Sequence, residues 1–122
     1  MELGNGLASG LAVALVLAGV ALLVTRLTNL AGDNSAEVAL ALQAGATVVD
    51  VRTPAEFLAG HVAGATNLPL DELPARAAEL PTDRLVVVYC ASGARSARAA
   101  AALRATGRTV VDAGTMAAFP PA

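Results

Sequence analysis

LVVVYCASGARSARAAAALRATG, Leu85 to Gly107, passes from a continuous apolar run through a short loop of small residues into an alanine-rich segment. Apolar residues without alternation fit a strand buried on both faces, as parallel sheets require. Ser96 to Ala105 has helix composition, and Gly107 ends it. Cys90 therefore stands at the carboxyl end of the most buried strand, where open parallel sheets place their ligands.

Outward from this stretch the same alternation repeats. Thr109 to Asp112 is β-branched and reads as a strand after the helix. On the other side, Asp71 to Leu80 reads as a helix closed by Pro81, preceded by a short strand at Ala65 to Leu68. Thr53-Pro54-Ala55-Glu56 is a capping box with proline at the first helical position, and its helix stops at Gly60. Thr47 to Val51 is a strand of β-branched residues. Asn34 with Glu37 three residues later predicts another capped helix, carrying Val38, Leu40 and Leu42 and ending at Gly45. Strands alternating with helices predict an α/β domain, a parallel sheet with helices on both faces.

The chain has 122 residues, 56% of them hydrophobic and 2% aromatic, with a net charge of −2. All of its cations are arginines, and alanine supplies about a quarter of the sequence. A mildly acidic chain offers no basic footprint for nucleic acid. One cysteine excludes an intramolecular disulfide and a cysteine-based metal site, and no metal or organic cofactor is implied.

Leu7 to Val24 carries Ser9 as its only polar side chain. A helix of that length spans about 27 Å, close to the ~30 Å hydrocarbon core of a bilayer. A cleaved signal peptide needs a positive start, and Glu2 is the only charge there. The expectation is a single transmembrane anchor over residues 1–26, in the membrane through 7–24, and a linker over 27–33. Arg26, the one flanking cation, places the domain in the cytoplasm; export to the periplasm or cell surface is the alternative. Gly6, Gly10, Ala14 and Ala18 form a small-residue row at four-residue spacing, which an alanine-rich chain also produces by chance.

A lone cysteine is commonly an inert small hydrophobe. Around Cys90, however, small residues and Gly93 let the backbone of Ala91, Ser92, Gly93, Ala94, Arg95 and Ser96 curl so that amides point inward. The following helix adds its free N–H groups and the positive end of its dipole. Such a ring favours a thiolate, and Arg95 and Arg98 bring cations to its rim.

Asp50 to Leu70 (DVRTPAEFLAGHVAGATNLPL) and Val88 to Gly107 (VYCASGARSARAAAALRATG) resemble the two signatures of the rhodanese family, nearly residue for residue, over about a third of the chain. The resemblance implies a rhodanese-like domain over 34–122. It implies a thiosulfate sulfurtransferase that uses Cys90 as the persulfide-forming nucleophile and the loop Ala91 to Ser96 to cradle the anion. The implied partners are a small anionic sulfur donor and a thiophilic acceptor: cyanide, a thiol or a protein cysteine. Two features depart from the family pattern: Thr115 and Phe119 stand where a glycine and a tryptophan are usual, and no opening edge strand is found between Arg26 and Asn34.

Asp50 and Arg52 are expected on the same sheet edge as the loop, with Arg52 pairing Glu56 to fix the turn. His61 is expected to be structural. Two rivals to the enzyme remain: a membrane-tethered persulfide carrier without turnover, and a cysteine phosphatase of related fold. The phosphatase pattern C-x5-R needs one residue more than Cys90 to Arg95 provides.

Overall fold

The computed structural model describes residues 5–31 and 34–121, with side chains over 10–23 and 34–121. Four parallel strands lie in the order β2-β1-β3-β4: β1 Thr47–Asp50, β2 Thr66–Asn67, β3 Val86–Tyr89 and β4 Val110–Gly114. The helices are α1 Asn5–Ala31, α2 Ser35–Gln43, α3 Pro54–Ala59, α4 Leu73–Arg76 and α5 Ala94–Ala105. The α/β reading with a parallel sheet holds.

The pleat sorts the strand residues into two cores. Val86, Val88 and Cys90 face α5 together with Val49, Val51, Leu68, Leu73, Ala99, Ala100 and Leu103. Leu85, Val87 and Tyr89 face the other way, toward Val38 and Ala41 of α2. The register between β3 and β4 shifts at Val88/Tyr89, where Asp112 and Gly114 are the successive partners. This bulge bends the edge strand directly ahead of Cys90.

Several local expectations are corrected. Asn34 makes no side-chain cap on α2. Its amide instead donates to the carbonyls of Asp112 (3.1 Å) and Ala113 (2.7 Å). β4 is a sheet edge, so its outer carbonyls lack a strand partner, and Asn34 supplies donors where an opening strand is missing. The helix expected from Asp71 to Leu80 is broken into 3-10 turns at Leu70–Glu72 and Ala77–Glu79 around the four-residue α4. Pro74 is the cause, since it offers no amide and fits only near a helix start. α5 begins at Ala94, two residues earlier than expected.

The amino-terminal reading also changes. α1 runs to Ala31, through most of the stretch expected to be a linker. Leu17 and Val20 pack against the Tyr89 side of the core, while Leu11, Leu15, Val16, Leu22 and Leu23 are exposed. Gly10 and Ala14 of the small-residue row line a cavity of about 470 Å³ with Thr82, Arg84 and Gly107. Among the described residues, no helix is long and apolar enough to cross a membrane. The expected transmembrane anchor is therefore not supported, and the side chains of Leu7, Ala8, Ser9 and Val24 lie outside the described residues.

Candidate active site

Cys90 follows β3 and is fully buried. Its backbone N–H donates to the Gly114 carbonyl (2.9 Å), which fixes the strand end against β4. Gly93, at φ 97°, turns the chain back in a conformation open to glycine and strained for other residues. That turn brings the amides of Gly93 (3.0 Å) and Ser96 (3.3 Å) onto Cys90 Sγ. The Ser96 hydroxyl lies 3.1 Å from the Gly93 carbonyl and 3.4 Å from that of Gly114, closing the loop on itself.

Burial alone pushes the Cys90 thiol up. Donation from Ser96 and from the Gly93 and Ser92 amides outweighs it, and the thiol is held below its ordinary 9.0. These donors ease ionisation in a water-poor site, a condition for a reactive cysteine. Of the loop residues named from sequence, Gly93 and Ser96 hold the sulfur directly. Ala91 and Ala94 are exposed on the loop's outer side.

Arg95 does not reach inward as a free cation. Its guanidinium donates to both carboxylate oxygens of Glu56, at 2.7 and 3.0 Å. Glu56 is in turn fixed by the capping box of α3: its Oε1 accepts from the Thr53 amide (3.1 Å), and its own amide donates to Thr53 Oγ1 (3.2 Å). The Arg95 guanidinium, helped by Thr53, draws the Glu56 carboxyl down to about 2. The start of α3 is therefore strapped to the end of the cysteine loop. A cleft of about 610 Å³ lies beside it, lined by Arg95 and Arg98 together with Val51 and Thr53.

The pairing of Arg52 with Glu56 is corrected. Arg52 instead donates to Asp50 through Nε (3.0 and 3.1 Å) and Nη2 (2.7 Å), and to the Gly60 carbonyl (2.6 Å). Residues two apart in extended chain point to one side, so Asp50 is the nearer carboxylate. Tyr89 completes the network, donating to Asp50 Oδ2 (2.7 Å) and accepting from the Val62 amide (3.0 Å). Burial raises the Asp50 carboxyl, but the bonds from Arg52 and Tyr89 bring it below its ordinary value. Burial, with the Asp50 carboxylate beside it, pushes Tyr89 up to about 12. This closed network ties the ends of β1 and β3 under the loop.

Residues 34–116 match the Rhodanese-like domain family. The chain belongs to that family. A sulfurtransferase of Allochromatium vinosum is 50% identical over 60 residues, covering 49% of this chain and 56% of the relative. Thiosulfate sulfurtransferase GlpE of Pseudomonas entomophila is 46% identical over 68 residues, covering 53% of this chain and 62% of the relative. The chain thus spans less than two thirds of each of these curated relatives. Among solved structures, a rhodanese-related protein of Thermoplasma volcanium superposes with a TM-score of 0.61 at 36% identity, over 66% of this chain and 80% of that one.

Within this rhodanese-like domain the two departures find local solutions. Phe119 stacks edge-on against Tyr89, with ring centroids 5.2 Å apart. Thr115 accepts the Ala117 amide on its hydroxyl (3.3 Å) and starts the 3-10 turn Met116–Ala118. His61 is tied to the Phe57 carbonyl (2.8 Å) and stacked on the Phe57 ring, in keeping with a structural part. Sequence reasoning missed Glu56 as the partner of Arg95 and Tyr89 as the keystone of the Asp50 network. The available signal was double use: Glu56 ends a capping box, but only one of its oxygens is needed there.

Proposed function

We propose that the domain is a sulfurtransferase in which Cys90 carries the sulfur. The observation that carries this reading is a buried Sγ receiving the Gly93 and Ser96 amides at 3.0 and 3.3 Å, with its thiol held below the ordinary value. The Cys90 thiolate attacks the outer sulfur of a thiosulfate-like donor. The new Sγ–S bond forms as the donor's S–S bond breaks, and the electron pair leaves with sulfite. A thiophilic acceptor then takes the outer sulfur and returns the thiolate. The loop amides lie on the Cys90 sulfur, where they favour the thiolate that attacks and the thiolate that is released. The relatives named as sulfurtransferase and thiosulfate sulfurtransferase support the same chemistry.

Thiosulfate-to-cyanide turnover by the full chain tests the proposal, with Cys90→Ser as the control. Loss of turnover in a folded variant is expected, because a hydroxyl is a far poorer nucleophile. Turnover near the original level overturns the mechanism. Stoichiometric loading without turnover would favour the persulfide-carrier reading.

Location belongs to the same proposal. A domain in the cytoplasm is proposed, where a lone free thiol such as Cys90 stays reduced. An impermeant thiol reagent on intact cells is expected to spare Cys90 and to label it after lysis; labelling of intact cells would place the domain outside.

A further inference from the structure

The bulge that ends β4 does more than close a sheet edge. Gly114, at φ 77°, sets its carbonyl 2.9 Å from the Cys90 N–H, which donates to it, and 3.4 Å from the Ser96 hydroxyl. Two side chains hold this glycine in place. Asp112 Oδ1 accepts the Gly114 N–H (2.9 Å). The Asn34 amide donates to the carbonyls of Asp112 (3.1 Å) and Ala113 (2.7 Å). Successive carbonyls of a regular strand point opposite ways, so one amide reaches both only where the strand is bulged. Contact runs on toward the sulfur. A methyl group on Gly114 would lie 3.8 Å from Asn34 Nδ2, and one on Gly93 would lie 3.7 Å from Gly114 Cα. Gly93 is the residue whose amide donates to Cys90 Sγ at 3.0 Å. Asn34, Gly114 and Gly93 therefore form a packed row that ends at the cysteine.

We propose that Asn34 and Asp112 are positioning residues for the reaction at Cys90: by bracing the Gly114 bulge they keep the Gly93 and Ser96 amides on the sulfur. The proposal rests on the sulfur-transfer reading and adds to it the residues that set its loop. Both side chains act through Gly114, at one remove from Sγ. β4 is the edge of the sheet, where side chains do what a neighbouring strand does elsewhere. A hydrogen bond weakens steeply as its angle closes, so slack in the bulge is felt at Sγ as poorer donation. Position 34 needs the amide and not a carboxylate, because two carbonyl oxygens face it and a carboxylate offers them no donor.

The test follows two readouts in the full chain: the pH midpoint for alkylation of Cys90, and the rate of sulfur loading from thiosulfate. Asn34→Ala and Asp112→Ala are each expected to raise the alkylation midpoint by about half a unit, the size of one weakened hydrogen bond to the thiolate. Loading is expected to slow about threefold, the same change expressed as a ratio. Asn34→Asp is expected to raise the midpoint further, and Asp112→Asn, which keeps an acceptor for the Gly114 amide, to restore it. Arg108 provides the control, since it clamps the carbonyls of Ala77 (2.9 Å) and Leu80 (3.2 Å) at the opposite end of β4. Arg108→Ala is expected to lower the unfolding midpoint and leave alkylation unchanged. Should Asn34→Ala fail to fold, Asn34→Ser decides by the same midpoint. Variants at Asn34 and Asp112 that lose stability as Arg108→Ala does, yet alkylate with the native midpoint, overturn the proposal. A native chain that takes no sulfur from thiosulfate overturns the sulfur-transfer reading instead, and the alkylation midpoints, which need no donor, still decide the brace.

Discussion

Two arginine–carboxylate pairs, Asp50–Arg52 and Glu56–Arg95, differ in almost every physical respect. Asp50–Arg52 is sealed in the fold, with side-chain exposures of 0% and 7%; Glu56–Arg95 is open to water, at 34% and 33%. The sealed pair has its remaining valences filled by Tyr89, Gly60 and the Arg52 amide. It has little freedom to move, and its work is to hold the strand ends that carry the loop. The open pair joins α3 to the cysteine loop. Burial turns the same chemistry into scaffolding in one place and into an adjustable strap in the other.

The largest stability effect is expected at the sealed pair. Arg52→Ala leaves a buried carboxylate without its cation, and such a break costs about 3–5 kcal/mol. Urea unfolding checks it, and a loss under ~1 kcal/mol would mean that water reaches Asp50. The pH dependence has a definite sign. The Asp50 carboxyl is lowered in the folded state, so its contribution is present above the ordinary carboxylate range. That contribution is lost as pH falls through the depressed value. Unfolding midpoints of the native chain are therefore expected to drop on acidification more than those of Asp50→Asn.

Tyr89→Phe is next in size. It removes one donor to Asp50 and the acceptor for the Val62 amide, and about 1–3 kcal/mol is expected to be lost in the same experiment. Cys90 transfer rates are expected to fall less than stability does, because the ring still packs against Phe119.

At the open pair the balance reverses. Glu56→Gln and Arg95→Ala are each expected to lower sulfur transfer roughly tenfold with little change in unfolding midpoint, and the double variant to be no worse than either alone. Additive losses would show that Arg95 meets the donor directly instead of acting through Glu56. Rescue of Arg95→Ala by Arg95→Lys is expected to be partial, since an ammonium cannot engage both oxygens in a fixed fork.

The smallest effect separates sulfur from phosphorus chemistry. Arg95 is five positions after Cys90, and Gly93 and Ser96 already lie on the sulfur. Such a ring leaves no place for a tetrahedral phosphate among donors that must lie within about 3 Å of the charge. No hydrolysis of an aryl phosphate is expected, and any Cys90-dependent hydrolysis would revive the phosphatase reading.

The comparison of the two pairs also shows what the sequence could and could not convey. The unbroken run Leu85 to Tyr89, Gly93 and the alanine helix identify the strand, the turn and the cradle, because burial and backbone conformation leave marks in composition. Thr53-Pro54-Ala55-Glu56 is equally legible, since a capping box is local. Partner choice is not local. Glu56 reaches Arg95, 39 residues away, and nothing in the spacing distinguishes that from the nearer Arg52. Asn34 misleads for the same reason: a cap and an edge-strand donor are written with one residue type. The uncharged Leu7 to Val24 reads as a span, while packing of Leu17 and Val20 on the domain depends on a surface formed far along the chain.

The central claim is that the loop holds a thiolate at Cys90 for sulfur to enter and leave. The direct measurement is the intact mass of the full chain after thiosulfate treatment, followed by cyanide. The account predicts a gain of roughly 32 Da, as one sulfur in the covalent intermediate requires, located on Cys90 and removed by cyanide as thiocyanate. The cysteine should also alkylate with a pH midpoint below the ordinary 9.0. A Cys90 that alkylates readily at neutral pH yet gains no sulfur from thiosulfate would contradict it.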